Sequence, residues 1–127
     1  MRFLGIDYGT KRIGIALSDE GGVLAFPKEI VSNDENAFEK IGRILEEENI
    51  KEVVVGESVD FAGAPNKISE DIKIFSEGLK KRFGVIIHKE KEFLTSVEAR
   101  RYKDEGEKVD ASAAALILQR FLDRNNK

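Results

Sequence analysis

Val53-Val54-Val55 is a continuous apolar run set between two stretches of helical periodicity, and few architectures accommodate that arrangement. A strand that is apolar on both faces must be covered on both, which is the habit of parallel strands joined by crossover helices. On its N-terminal side, Phe38, Ile41, Ile44 and Leu45 form one apolar stripe, with Asn49 as a plausible stop. On its C-terminal side, Ile68, Ile72, Phe75, Leu79 and Phe83 recur at helical spacing and Gly84 ends the pattern. Val85-Ile86-Ile87 then opens a second buried strand running to about Phe93.

The first third reads differently. Phe3 to Asp7 is a short apolar strand, Tyr8 to Lys11 a turn, and Arg12 to Ser18 a strand with Ile13, Ile15 and Leu17 on one face. Gly21-Gly22 turns the chain into a third strand, Val23 to Val31, which Pro27 marks as an edge or a bulge. Ser32 and Glu35 have capping-box spacing for the first helix, and Thr95 and Glu98 for a short helix toward Tyr102 that Gly106 ends. Glu57 to Pro65 is expected as a loop, a last helix from about Val109 to Leu122, and a fraying tail from Asn125 to Lys127. The order β-β-β-α-β-α-β-α-α predicts an α/β fold: a five-stranded mixed sheet whose crossover helices cover its two faces.

At 127 residues the chain fits one domain, 1–127. It has no cysteine, so disulfides, thiol nucleophiles and cysteine zinc sites are excluded. No signal peptide and no run approaching a membrane span is visible, so a cytoplasmic protein without a membrane partner is expected. The net charge of -3 is not that of a general nucleic-acid binder, although basic residues can still gather at one cleft. The single histidine, His88, removes most histidine-based catalysis and reads as a strand residue at the sheet margin. Gly9 and Gly14 have P-loop spacing, but Ile15-Ala16 replaces the Lys-Ser/Thr pair. Gly56 to Asp60 lacks the second glycine of a nucleophile elbow.

Three carboxylates stand out. Asp7 ends the first strand, Glu92 follows the last buried strand, and Asp110 opens the alanine-rich last helix. Singly, each has a plain structural role: a turn cap, a solvated strand end, a first-turn acid on a helix dipole. Together they take on another meaning, because the topology can bring all three to one end of the sheet. Two carboxylates ~5 Å apart repel by roughly 3 kcal/mol at an effective dielectric of ~20. Mg2+ or Mn2+ would compensate such a cluster, and two ions ~4 Å apart can activate water and stabilise a leaving oxygen.

The segment Gly5 to Ala16 closely resembles the opening of the YqgF/RuvX family of Holliday junction resolvases and pre-16S ribosomal RNA nucleases. Val53 to Gly56, Glu92 to Ala99 and Val109 to Gln119 resemble its later segments in order. The resemblance implies a ribonuclease H-like fold and a divalent-metal nuclease with Asp7, Glu92 and Asp110 as its acids. It also implies substrate contacts at Thr10, Lys11 and Arg12 and along the loop from Gly56 to Gly63. Lys11 or Arg12 could hold phosphate; the plain alternative is a solvated turn.

The chain departs from the family where Lys91-Glu92-Phe93 replaces Asp-Glu-Arg, where Glu57-Ser58 replaces Leu-Pro, and at Ala62, where an Asp is usual. The leading expectation is an endonuclease acting on precursor ribosomal RNA, with branched DNA as the alternative substrate and a monomer or homodimer as the working form. Phosphoryl transfer of the actin-like kind would need a second such unit. The departures keep a non-catalytic nucleic-acid or ribosome-assembly module in view.

Overall fold

The computed structural model describes residues 1–59, 67–93 and 111–126, with backbone alone for residues 58, 59, 67, 92 and 93. Strands β1 (Phe3–Tyr8), β2 (Arg12–Ser18) and β3 (Ala25–Ser32) form an antiparallel meander. Helix α1 (Ala37–Glu47), strand β4 (Glu52–Val59), helix α2 (Lys67–Phe83), strand β5 (Ile86–Phe93) and helix α3 (Ala111–Asn125) follow. The sheet order is β3-β2-β1-β4-β5, with β4 parallel to both β1 and β5. This is the expected five-stranded mixed sheet of a ribonuclease H-like fold.

Residue alternation splits the core in two. Leu4, Ile6, Ile13, Ile15, Leu17, Val53 and Val55 pack with Ile41, Ile44, Ile72, Phe75 and Leu79 of α1 and α2. Phe3, Ala16 and Val54 pack with Ala114, Ile117, Leu118, Phe121 and Leu122 of α3. The crossover helices therefore share one face, contrary to the expectation that they divide between two. The reason is directional: β3 to β4 and β4 to β5 both step the same way across the sheet between parallel strands. Right-handed connections that step the same way must lie on the same side.

Two glycines let those helices approach. A Cβ on Gly78 of α2 would lie 2.7 Å from the Phe38 ring of α1, and one on Gly42 of α1 would lie 2.5 Å from the Phe83 ring of α2. Phe38 also stacks on Phe75 with centroids 5.4 Å apart.

Other expectations are corrected. The Ser32–Glu35 capping box does not form: Ser32 is still paired with Arg12 in β3, and α1 opens after Asn36 with no side-chain cap. Glu57, Ser58 and Val59 extend β4 instead of opening a loop, because β5 pairs with them as far as Phe93. The tail does not fray at Asn125; α3 includes it, and the Asn126 side chain donates to the Gly22 and Leu122 carbonyls. Pro27 does sit on an edge strand, where the register slips between Ile15 and Ala16. Asn49 ends α1 at a positive φ of 53°, and Gly84 ends α2 at 65°. The Thr95–Glu98 capping box and Gly106 lie outside the described residues. No helix among the described residues is long and apolar enough to cross a membrane.

Candidate active site

Asp7 is the anchor of the site. It lies on β1 among buried side chains and is itself 8% exposed. Its pairing partner on β2 is Gly14. The parallel pairing with β4 reaches Ile6 opposite Val55, so the next step brings Asp7 level with Gly56. Neither strand neighbour places a side chain beside the carboxylate. Alternation puts Asp7 on the same face as Phe3 and Gly5, the face that α3 covers.

α3 is lowered onto that face at Gly5. A Cβ there would lie 2.7 Å from Cβ of Leu118 and 3.0 Å from the carbonyl oxygen of Ala114. Phe121, one turn later, meets Phe3 with centroids 5.7 Å apart. The helix therefore runs against the direction of β1, and its first turn lies toward the Asp7 end of the strand.

Glu92 reaches the same rim from β5. Gly56 pairs with Glu90 and Ser58 with Glu92. Glu92 is thus two strands across from Asp7 and two residues further along, on the same face by alternation. Two inter-strand spacings and two residues of rise separate their Cα atoms by about 12 Å. Asp110, immediately before α3, and Gly63 lie outside the described residues.

Glu90, which shares that face, is 3% exposed and forms a salt bridge with Arg124 of α3 at 2.6 Å. His88 is at the sheet margin, as expected, with Nε2 2.8 Å from Glu52 Oε1 and its ring 4.8 Å from that of Phe121.

The turn beside Asp7 carries Thr10 and Lys11, and Arg12 opens β2; all three are exposed. Asn33 holds this turn from behind: its side chain donates to the Gly9 carbonyl at 2.7 Å and its backbone N–H to the Lys11 carbonyl at 2.9 Å. Sequence reading missed Asn33. The signal lay in the meander, since the residue after β3 must land beside the turn that precedes β2.

Among the described residues no group of three acidic, histidine or cysteine side chains is close enough to hold a metal ion. The expected donors are all oxygen, however, which suits a hard divalent cation. Gly14 and Gly56, level with Asp7 on the neighbouring strands, add no side chain of their own there. By the chemistry of the donor set, the expected acids fit such an ion.

A model of the family described as "RuvX: Holliday junction resolvase" matches residues 1–124. A relative from Sulfurihydrogenibium, named "Putative pre-16S rRNA nuclease", is 37% identical over 97% of this chain and 90% of its own length. A second of the same name, from Koribacter versatilis, is 36% identical over 97% of this chain and 87% of its own. Among solved structures, Thermus thermophilus RuvC superposes with a TM-score of 0.58 at 14% identity, covering 99% of this chain and 96% of that one. The same protein in complex with a Holliday junction substrate gives the same score at 16% identity.

Proposed function

The chain belongs to the RuvX family, and on that premise we propose that it is a divalent-metal-dependent endonuclease whose substrate is precursor 16S ribosomal RNA. The observation that carries this reading is the placement of Asp7. It is a buried carboxylate at the rim of the sheet, flanked on β2 and β4 by glycines and faced by the helix that follows Asp110.

In this reading Asp7, Glu92 and Asp110 would together hold Mg2+ or Mn2+, with two ions expected between the three acids. When bound, the ions supply Lewis-acid activation of water and charge compensation at phosphorus. The chain's own residues do the rest. Asp7 is held by the sheet and cannot withdraw into solvent. Thr10, Lys11 and Arg12 sit on a turn braced by Asn33, where they meet the phosphates next to the scissile one. Gly56 on β4 presents no side chain to a substrate that approaches the backbone, and Gly63, outside the described residues, is a further expected contact.

Four-way DNA is the second substrate, favoured by the description of the matching family. It would require two copies of the chain, because symmetric cuts need two sites. Purified protein incubated with precursor RNA and with a four-way DNA, with and without Mg2+ or Mn2+, decides between them. Metal-dependent cleavage that Asp7→Asn abolishes is expected. Cleavage undiminished in that variant would defeat the assignment. Binding without cleavage would point to a non-catalytic assembly module.

A further inference from the structure

β5 sorts its charges by face. Its C-terminal half alternates Lys89-Glu90-Lys91-Glu92. Alternation sends both acids to the face of Asp7 and both lysines to the face of α1 and α2. Ile87 packs on the core of that second face, but Lys89 and Lys91 beyond it are exposed. Neither forms a salt bridge among the described residues. Edge strands often carry charge as a guard against edge-to-edge pairing. That purpose favours lysine but does not fix its position along the strand.

The position here is specific. Lys91 pairs with Glu57, one residue beyond the level of Asp7 and at the same rim. On the other side of Asp7 stand Lys11 and Arg12, also exposed and also without a salt bridge among the described residues. From β2 to β5 the rim carries Lys11 and Arg12, then Asp7, then Glu57 paired with Lys91, with Lys91 on the sheet face opposite Asp7, so a strand passing over the rim meets both faces. Arg12 and Lys91 are three strand spacings apart, or about 14 Å. That is the rise of about four phosphates along one helical strand.

The departure from the family pattern fits the same geometry. By the resemblance read from the sequence, Lys91-Glu92-Phe93 stands where the family pattern has Asp-Glu-Arg. Positions 91 and 93 share a face, so the positive charge is retained on that face and moved by one strand repeat, about 7 Å.

We infer, on the basis of the nuclease reading above, that Lys91 is a phosphate-contacting residue of the substrate track. One nucleic-acid strand crosses the rim of the sheet from β2 to β5, with Lys11 and Arg12 on one side of Asp7 and Lys91 on the other.

The test measures binding, so that it stands apart from cleavage. Fluorescence anisotropy with a precursor ribosomal RNA fragment and a four-way DNA, over a range of salt, is run in the Asp7→Asn background. Lys91→Glu is expected to weaken binding at least tenfold and to reduce the salt slope by about one. Lys28→Glu, the matching reversal on the opposite edge strand, is expected to stay within twofold. The pair Lys91→Asp with Phe93→Arg is expected to restore affinity. Circular dichroism checks folding, and Lys91→Gln replaces Lys91→Glu if the reversal unfolds the chain. Unchanged affinity and slope at position 91, or no binding of either probe, overturns the track. Lys91-dependent binding together with no metal-dependent cleavage by the protein that keeps Asp7 would overturn the nuclease reading and leave the track standing.

Discussion

Gly5 of β1 lies directly beneath Leu118 of α3, so close that a methyl group on Gly5 would come within 2.7 Å of the leucine Cβ. The backbone carbonyl of Ala114 is nearly as near, at 3.0 Å, so the obstruction cannot be relieved by a rotamer change alone. This contact sets the height of α3 over the sheet two residues below Asp7.

Gly5→Ala should therefore lift α3. Overpacking of this kind costs about 1–3 kcal/mol. Chemical denaturation should show that loss. Single-turnover cleavage should fall by more than the folded fraction does, because the helix that follows Asp110 is displaced. Wild-type stability in the alanine variant would mean that the contact is looser than the backbone positions indicate.

Much of this arrangement was legible in the sequence. Period-2 alternation in Ile13, Ile15 and Leu17 and the triple valine of β4 determine which residues meet in the core. The acid at the end of β1 was equally plain. What alternation and period cannot carry is long-range pairing. Ser32 has the local chemistry of a helix cap, yet strand pairing with Arg12 overrides it. Asn126 has the composition of a frayed tail, yet the Gly22 carbonyl, far away in sequence, anchors it. Glu90 and Glu92 are the same residue type two positions apart in one strand, and only the contact with Arg124 marks Glu90 as part of the packing between β5 and α3.

Gln119 ties α3 to the meander. Its Oε1 accepts from the Ala25 N–H at 2.8 Å and its Nε2 donates to the Val23 carbonyl at 2.9 Å. Gln119→Ala leaves a half-buried backbone donor without that partner, and a loss of about 1–2 kcal/mol is expected. Hydrogen exchange at the Ala25 amide should accelerate more than exchange at the core amides of β1. Equal acceleration would show a global effect instead.

Asp19 governs the β2–β3 turn. Its carboxylate accepts from the backbone N–H groups of Val23 and Leu24, chiefly the former, and these bonds hold its pKa below the ordinary 3.8. A depressed acid stabilises the fold above its unfolded pKa, and that contribution is lost as pH falls through the folded value. Wild type should therefore exceed Asp19→Asn in urea midpoint at neutral pH, with the gap closing below about pH 4. A gap that persists at lower pH would assign the effect to shape and not to charge.

Glu90 and Glu92 occupy the same strand face two residues apart, and their roles should separate cleanly. Glu90 is buried against Arg124, whose own side chain is 62% exposed. Arg124→Ala strands a buried carboxylate, but solvent around the arginine tempers the cost to about 1–2 kcal/mol. Glu90→Gln, which removes the charge along with its need for a partner, should cost less. Neither change touches a proposed ligand, so Mn2+ titration followed by calorimetry should return near wild-type affinity in both. Glu92→Gln should do the opposite: it should keep the unfolding midpoint and lose Mn2+ binding, because an amide oxygen is a poorer partner for a hard cation than a carboxylate. If Glu90→Gln is the variant that loses the metal, the ligand on β5 lies one strand repeat closer to the sheet interior, and Arg124 is its counterion in the metal-free protein.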